Sequence, residues 1–296
     1  MTSIARSALS KVVKALWTII FIGVTALCAA AQGGTAKPLT IGVIDELYSQ
    51  TLGERRALNI YLPQGYKPNG TTKYPVIYLL DGGVDEDFIH VTGIVQFDTF
   101  PWVARIPPSI VVGIVNMDRR RDFTFPTTVD AERKRNPTSG HSDKFIAFLR
   151  DELQPFIQKK YRASGARTLI GESLGGLLAT EILLKQPSLF DKYIIVSPSL
   201  WWDNGSLLSA PADAIKVNKT AASVYIGIGK EGLAPTETPH VGEVDANVLA
   251  DKLRNAGDTN LKVIFDYLPN ENHATIGHQA VFNAFRSLYP PSKAEQ

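Results

Sequence analysis

The stretch Gly171-Glu172-Ser173-Leu174-Gly175 narrows the possible folds of this chain more than any other. It follows the apolar run Thr168-Leu169-Ile170 and precedes Gly176 and a helix-forming segment, Leu177 to Lys185. Strand, sharp turn carrying a serine, then helix is the pattern of a nucleophile elbow. The turn forces the serine into a strained backbone conformation, so its neighbours must be small, and Gly171 and Gly175 meet that need. The serine hydroxyl is then held above the end of a sheet, while the helix beginning after it points free N–H groups toward any negative charge that forms there.

The rest of the chain supplies such a sheet. Leu39 to Ser49 and Ala57 to Leu62, with Gly53 between them, read as an antiparallel hairpin. Pro75 to Leu80 is a continuous apolar run, the mark of a strand covered on both faces. Ile110 to Val115, Arg167 to Ile170, Tyr193 to Val196, Ser223 to Ile228 and Leu261 to Leu268 bring the predicted strands to eight. Helical patterns alternate with them at Ser142 to Lys160, at Val244 to Asn255 and at His278 to Leu288. Pro155 is expected to kink or shorten the first of these. Such alternation predicts a mostly parallel eight-stranded α/β sheet with helices on both faces. No repeat or long linker divides the chain.

The N-terminus reads differently. Residues 1–31 hold Arg6, Lys11 and Lys14, an apolar run from Ala15 to Leu27, and Ala29-Ala30-Ala31 before Gln32. This is the pattern of a cleavable secretory signal peptide, which predicts a mature domain of residues 32–296 in a periplasmic or secreted setting. An uncleaved anchor is the competing reading, because the run falls only slightly short of the roughly 20 residues a spanning helix needs. Three of the 31 Lys and Arg and none of the 29 Asp and Glu lie in this segment, so cleavage would leave a net charge of about −1. No attraction to nucleic acid or to an anionic membrane follows from that balance. The one cysteine, Cys28, would be lost as well, leaving no disulfide or thiol chemistry.

In open α/β sheets reactive groups gather beyond the carboxyl ends of the strands. Ser173 follows the fifth predicted strand, Glu231 the seventh and His273 the eighth. Serine needs a base, and an imidazole both takes its proton and returns it to a leaving alcohol. A carboxylate on the other ring nitrogen fixes the tautomer and stabilises the imidazolium. His273 is the expected base and Glu231 the expected acid, with Asp245 or no acid at all as alternatives. The oxyanion of acyl transfer calls for backbone donors, expected at Leu174 and at Gly82 or Gly83 in the glycine-rich corner after the third strand. Arg119 and Arg121, after the fourth strand, and Trp201 and Trp202, after the sixth, are candidate substrate contacts through charge and stacking. No histidine and carboxylate cluster has a metal-binding spacing, and the chemistry calls for no cofactor.

The runs Tyr74 to Gly83, Asn116 to Pro126, Ile170 to Gly176, Ser197 to Trp202 and Glu271-Asn272-His273 together resemble the esterase branch of the α/β hydrolases, over roughly residues 40 to 288. Within it the chain is most similar to esterases that open the trilactone ring of catecholate siderophores. The resemblance implies a serine esterase acting on a small-molecule ester, with Ser173 as nucleophile, His273 as base, and Arg119 and Arg121 facing substrate. It leaves Glu231 open, since some siderophore esterases work with a Ser and His dyad. Simple acyl or feruloyl esters, transfer to an alcohol, and a noncatalytic binding role are the alternatives.

Overall fold

A computed structural model of the protein describes Lys11, Lys14 and residues 37–213, 215, 223–256 and 261–289. The proposed signal segment, apart from those two lysines, lies outside the described residues. Residues from Gly42 onward form one compact unit. Among the described residues its strands are eight: β1 (Val43–Ser49), β2 (Glu54–Tyr61), β3 (Tyr74–Leu79), β4 (Ile110–Ile114), β5 (Ala163–Glu172), β6 (Lys192–Val196), β7 (Ser223–Gly229) and β8 (Lys262–Leu268).

They form a single sheet in the order β1-β2-β4-β3-β5-β6-β7-β8. β1 and β2 pair antiparallel, as the hairpin reading predicts, and β2 also pairs antiparallel with β4. All remaining pairs are parallel. The apolar runs occur where both faces are covered. Along β3, Val76 and Tyr78 enter one core layer, while Ile77 and Leu79 enter the other.

The helices around the sheet include α1 (Phe88–Asp98), α2 (Arg119–Phe123), α3 (Asp130–Arg135), α4 (Ser142–Phe148), α5 (Gln154–Lys160), α6 (Leu174–Lys185), α7 (Trp202–Ser209), α8 (Gly242–Arg254) and α9 (Ile276–Leu288). α1 and α9 cover one face of the sheet with Phe88, Val95, Val281 and Phe285. α4, α5, α6 and α8 cover the other. The helix expected over residues 142–160 is continuous but passes through a π turn, Leu149–Leu153, and Pro155 lies in the first turn of α5. Pro155 closely follows the π turn, which widens the helix where the proline lacks an N–H and its ring crowds the preceding turn.

Sheet register decides which loops meet. Glu172, the last residue of β5, pairs with Val196 of β6. Val196 pairs in turn with Gly227 of β7, and Gly229 pairs with Leu268 of β8. The residues following four adjacent strands therefore emerge side by side at one edge.

Candidate active site

Ser173 lies between β5 and α6 with φ +58° and ψ −117°, a left-handed backbone that an L-residue adopts only under strain of about 1–3 kcal/mol. The turn is tight enough that a Cβ on Gly171 would fall 2.4 Å from the Gly175 carbonyl oxygen. Ser173 N–H donates to the Val196 carbonyl (3.0 Å), and Ser199 N–H donates to the Ser173 carbonyl (3.0 Å). The strained residue is thereby tied to the end of β6 and to the loop that follows it.

His273, in the loop after β8, has Nε2 3.0 Å from Ser173 Oγ. Its Nδ1 is 2.8 Å from Glu231 Oε2, in the loop after β7. Sequence separations of 100 and 42 residues thus close into one hydrogen-bonded chain. The Glu231 hydrogen bond is the main cause that holds the His273 pKa above its ordinary 6.5, against the desolvation of the ring. The acid loop is braced in turn. Ser197 Oγ donates to Glu231 Oε1, and the Glu243 carboxylate accepts the N–H groups of Glu231 (3.0 Å) and Gly232 (3.0 Å). Lys230 N–H donates to the Glu271 carbonyl (2.7 Å), joining the acid loop to the histidine loop. The alternative acid, Asp245, is bonded to His240 Nδ1 at 2.8 Å instead.

A cavity of about 420 Å³ opens beside Ser173 and His273, with Leu200, Trp201, Leu233 and Pro235 among its walls. Trp201 is thus at the site. Trp202 is not: it is buried in the core, and its Nε1–H donates to the Phe125 carbonyl (2.9 Å). The two arginines lie in different surroundings. Arg119 is held by Asp81, with Nε–Oδ1 2.6 Å and Nη2–Oδ2 3.0 Å, and donates to the Glu172 carbonyl (3.2 Å). It is beside the elbow, with its guanidinium engaged by the protein. Arg121 is removed from Ser173 altogether, paired with Glu54 and Asp122, because the short α2 points successive side chains in different directions.

Among the expected oxyanion donors, Leu174 is the first residue of α6, so no carbonyl within that helix can accept its N–H. Gly82 N–H donates to the Ile114 carbonyl at 3.0 Å, which extends the β3–β4 pairing and removes it as a donor. Gly83 N–H meets Glu86 Oε2 at 2.8 Å. Sequence reasoning missed Ser197, Ser199 and Glu243. The two serines follow β6 directly, so the rule that sends reactive groups to strand ends applies to them as well. No spacing marks Glu243.

Glu172, the elbow residue beside Ser173, has its carboxyl pushed up to about 7 by burial first and then by the charge of Asp87. Between the ordinary 4.5 and about 7 the folded chain keeps a proton that the unfolded chain has lost, so this group makes folding less favourable as pH rises through that window. Glu172→Gln removes the penalty. The variant is expected to match the parent near pH 4 and to exceed its stability by about 2–3 kcal/mol at pH 8, measured by urea unfolding at both pH values. A difference independent of pH would show that Glu172 does not ionise in this way.

The model of the family described as "Putative esterase" matches residues 49–260. Ferri-bacillibactin esterase BesA of Bacillus subtilis (strain 168) is 27% identical over 282 residues, covering 88% of this chain and 94% of that protein. Siderophore triacetylfusarinine C esterase of Aspergillus fumigatus is 36% identical over 212 residues, 64% of this chain and 67% of that protein. Among solved structures, an IroE-like serine hydrolase from Shewanella oneidensis has a TM-score of 0.73 at 30% identity, covering 84% of this chain and 80% of that one. The BES protein of Bacillus cereus has a TM-score of 0.72 at 28% identity, covering 85% and 96%. The eight-stranded sheet is the α/β-hydrolase fold shared with these esterases. With the family model matched over most of its length, this chain belongs to the Putative esterase family and is a carboxylic ester hydrolase.

Proposed function

We propose that the protein is an exported serine esterase that hydrolyses siderophore esters of the trilactone class through an acyl-enzyme on Ser173. The observation that carries the mechanism is the hydrogen-bonded series Ser173–His273–Glu231 beside a cavity. Ser173 Oγ attacks the ester carbonyl carbon while His273 Nε2 takes its proton. The negative tetrahedral oxygen is held by backbone N–H groups, with Leu174 as the first. The intermediate collapses by breaking the bond to the alcohol oxygen, which receives the proton from His273. Water repeats the sequence on the acyl-enzyme and releases the acid and free Ser173. Glu231, fixed by Ser197 and by the Glu243 clamp, keeps the histidine tautomer correct.

The substrate class rests on similarity to proteins named as siderophore esterases. Export rests on the N-terminal sequence pattern, and among the described residues no helix is long and apolar enough to cross a membrane. One observation favours a second reading, in which simple aryl or acyl esters are the substrates. Arg119 and Arg121 are both engaged by carboxylates of the protein, and the cavity lining includes Lys230 but neither arginine.

A fluorophosphonate probe is expected to label Ser173 in the intact protein and to leave Ser173→Ala unlabelled. Absence of labelling in the parent would rule out the serine mechanism. On the labelled protein, turnover of ferric and iron-free catecholate trilactones is expected to exceed that of 4-nitrophenyl acetate and a feruloyl ester. The reverse order would replace the siderophore reading with the second one.

A further inference from the structure

The corner after β3 is where the chemistry needs a donor and where the hydrogen bonds are already made. The chain turns at Asp81, whose φ is +53°. Gly82 then packs against β4 so closely that a Cβ would fall 2.3 Å from Gly113 Cα, and its N–H is fixed on the Ile114 carbonyl. This corner abuts the elbow. Asp81 Oδ2 is 3.2 Å from where a Gly175 Cβ would stand in the first turn of α6, and Arg119 links the Asp81 carboxylate to the Glu172 carbonyl. Gly83 N–H is the next backbone donor at the corner, and Glu86 Oε2 takes it at 2.8 Å.

The other Glu86 oxygen, Oε1, accepts from Asn116 Nδ2 at 2.8 Å, and the same amide nitrogen is 2.6 Å from Asp81 Oδ1. Glu86 N–H donates back to the Gly83 carbonyl at 3.1 Å. Reciprocal bonds across three residues are the pattern by which a glutamate closes the entry to a helix, here the turn leading into α1. At an acyl-transfer site that bond has a second effect, because a carboxylate and a tetrahedral oxyanion compete for the same N–H and repel one another.

Resting on the serine-esterase reading, we propose that Glu86 is a positioning residue that covers the second oxyanion donor: its carboxylate holds Gly83 N–H in the resting enzyme, and the substrate carbonyl takes that N–H over only when Glu86 swings into solvent. Glu86 is an exposed residue, so the outward rotation meets no core packing. Asn116 holds the departing carboxylate from the β4 side and sets how readily it leaves.

A purely structural helix-entry glutamate and a donor cover give different results on removal. Loss of the first lowers stability and leaves the rate alone. Loss of the second speeds the chemical step. In the full chain, Glu86→Ala is expected to raise kcat/KM for 4-nitrophenyl acetate about tenfold, mostly through kcat, with Glu86→Gln intermediate because it is neutral but keeps the side-chain shape. The rate constant for fluorophosphonate labelling of Ser173 is expected to rise in parallel, since the phosphonyl oxygen uses the same donors.

Unchanged or reduced kcat/KM in a variant that melts within a few degrees of the parent would overturn the proposal. If Glu86→Ala does not fold, the isosteric Glu86→Gln carries the same comparison. A parent protein that is not labelled at Ser173 sinks the serine-esterase reading itself. A labelled parent with unresponsive Glu86 variants sinks only this inference.

Discussion

Replacing His273 with alanine is expected to lower kcat for an activated ester by about 10⁴–10⁶, and Glu231→Gln by about 10³–10⁴. The double variant should be no worse than His273→Ala alone, because Glu231 acts only through the imidazole. The reason lies in the geometry. Among the described residues Ser173 Oγ has a single basic nitrogen at hydrogen-bond distance, His273 Nε2, and its other side-chain partner is the Ser199 hydroxyl at 3.3 Å, which cannot accept a proton at neutral pH. Without the imidazole the hydroxyl stays protonated and the oxyanion donors act alone.

The pH profile gives an independent check of the same pair. The imidazole must be neutral to accept the proton, and its pKa is held above 6.5, mainly by the Glu231 hydrogen bond. In the parent, kcat/KM should therefore fall with decreasing pH through a midpoint above 6.5. Glu231→Gln removes the raising influence and is expected to move that midpoint down. A midpoint unmoved by Glu231→Gln, with kcat reduced less than tenfold, would mean that Glu231 has no part in the reaction and that Ser173 and His273 work as a dyad.

The parts of this molecule that were legible in the sequence are those encoded locally. Apolar runs such as Val76–Leu80 and Ile110–Ile114 are strands covered on both faces, and the glycine–serine–glycine turn stands between an apolar run and a helix-forming segment, which marks it as a strand-to-helix elbow. Because β–α alternation fixes a parallel sheet, the positions of Ser173, Glu231 and His273 after strands five, seven and eight followed from the same pattern. What escaped depends on which partner a polar group finds across the fold. Arg119 and Arg121 are two residues apart, yet one reaches Asp81 and the other Glu54. Trp201 and Trp202 are adjacent, yet one lines the cavity and the other is enclosed by core. Gly82 and Gly83 look alike as donors until the close approach of β4 takes the first and Glu86 the second. None of these choices has a local pattern.

The arginine that does not face the site leads to the largest stability effect expected here. Asp122, buried on α2, accepts from Arg56 Nη2 and from Arg121 Nε (2.8 Å), and Glu54 bridges the same two arginines at 2.7 and 2.6 Å. Arg56 is only 1% exposed and lies over the Phe145 ring, 5.3 Å from its centroid. Asp122→Ala leaves that guanidinium buried with only the partly exposed Glu54 to balance it. The expected loss is about 3–5 kcal/mol, a large part of the 5–15 kcal/mol typical of a domain. Arg121→Ala removes a more solvated partner and should cost about 1 kcal/mol or less. Replacing both Arg56 and Asp122 with apolar residues, as in Arg56→Met with Asp122→Leu, removes the unpaired charge and should recover most of the loss. Urea unfolding of the four proteins tests this: if the double replacement is as unstable as Asp122→Ala, the loss comes from packing around α2 and not from a stranded charge.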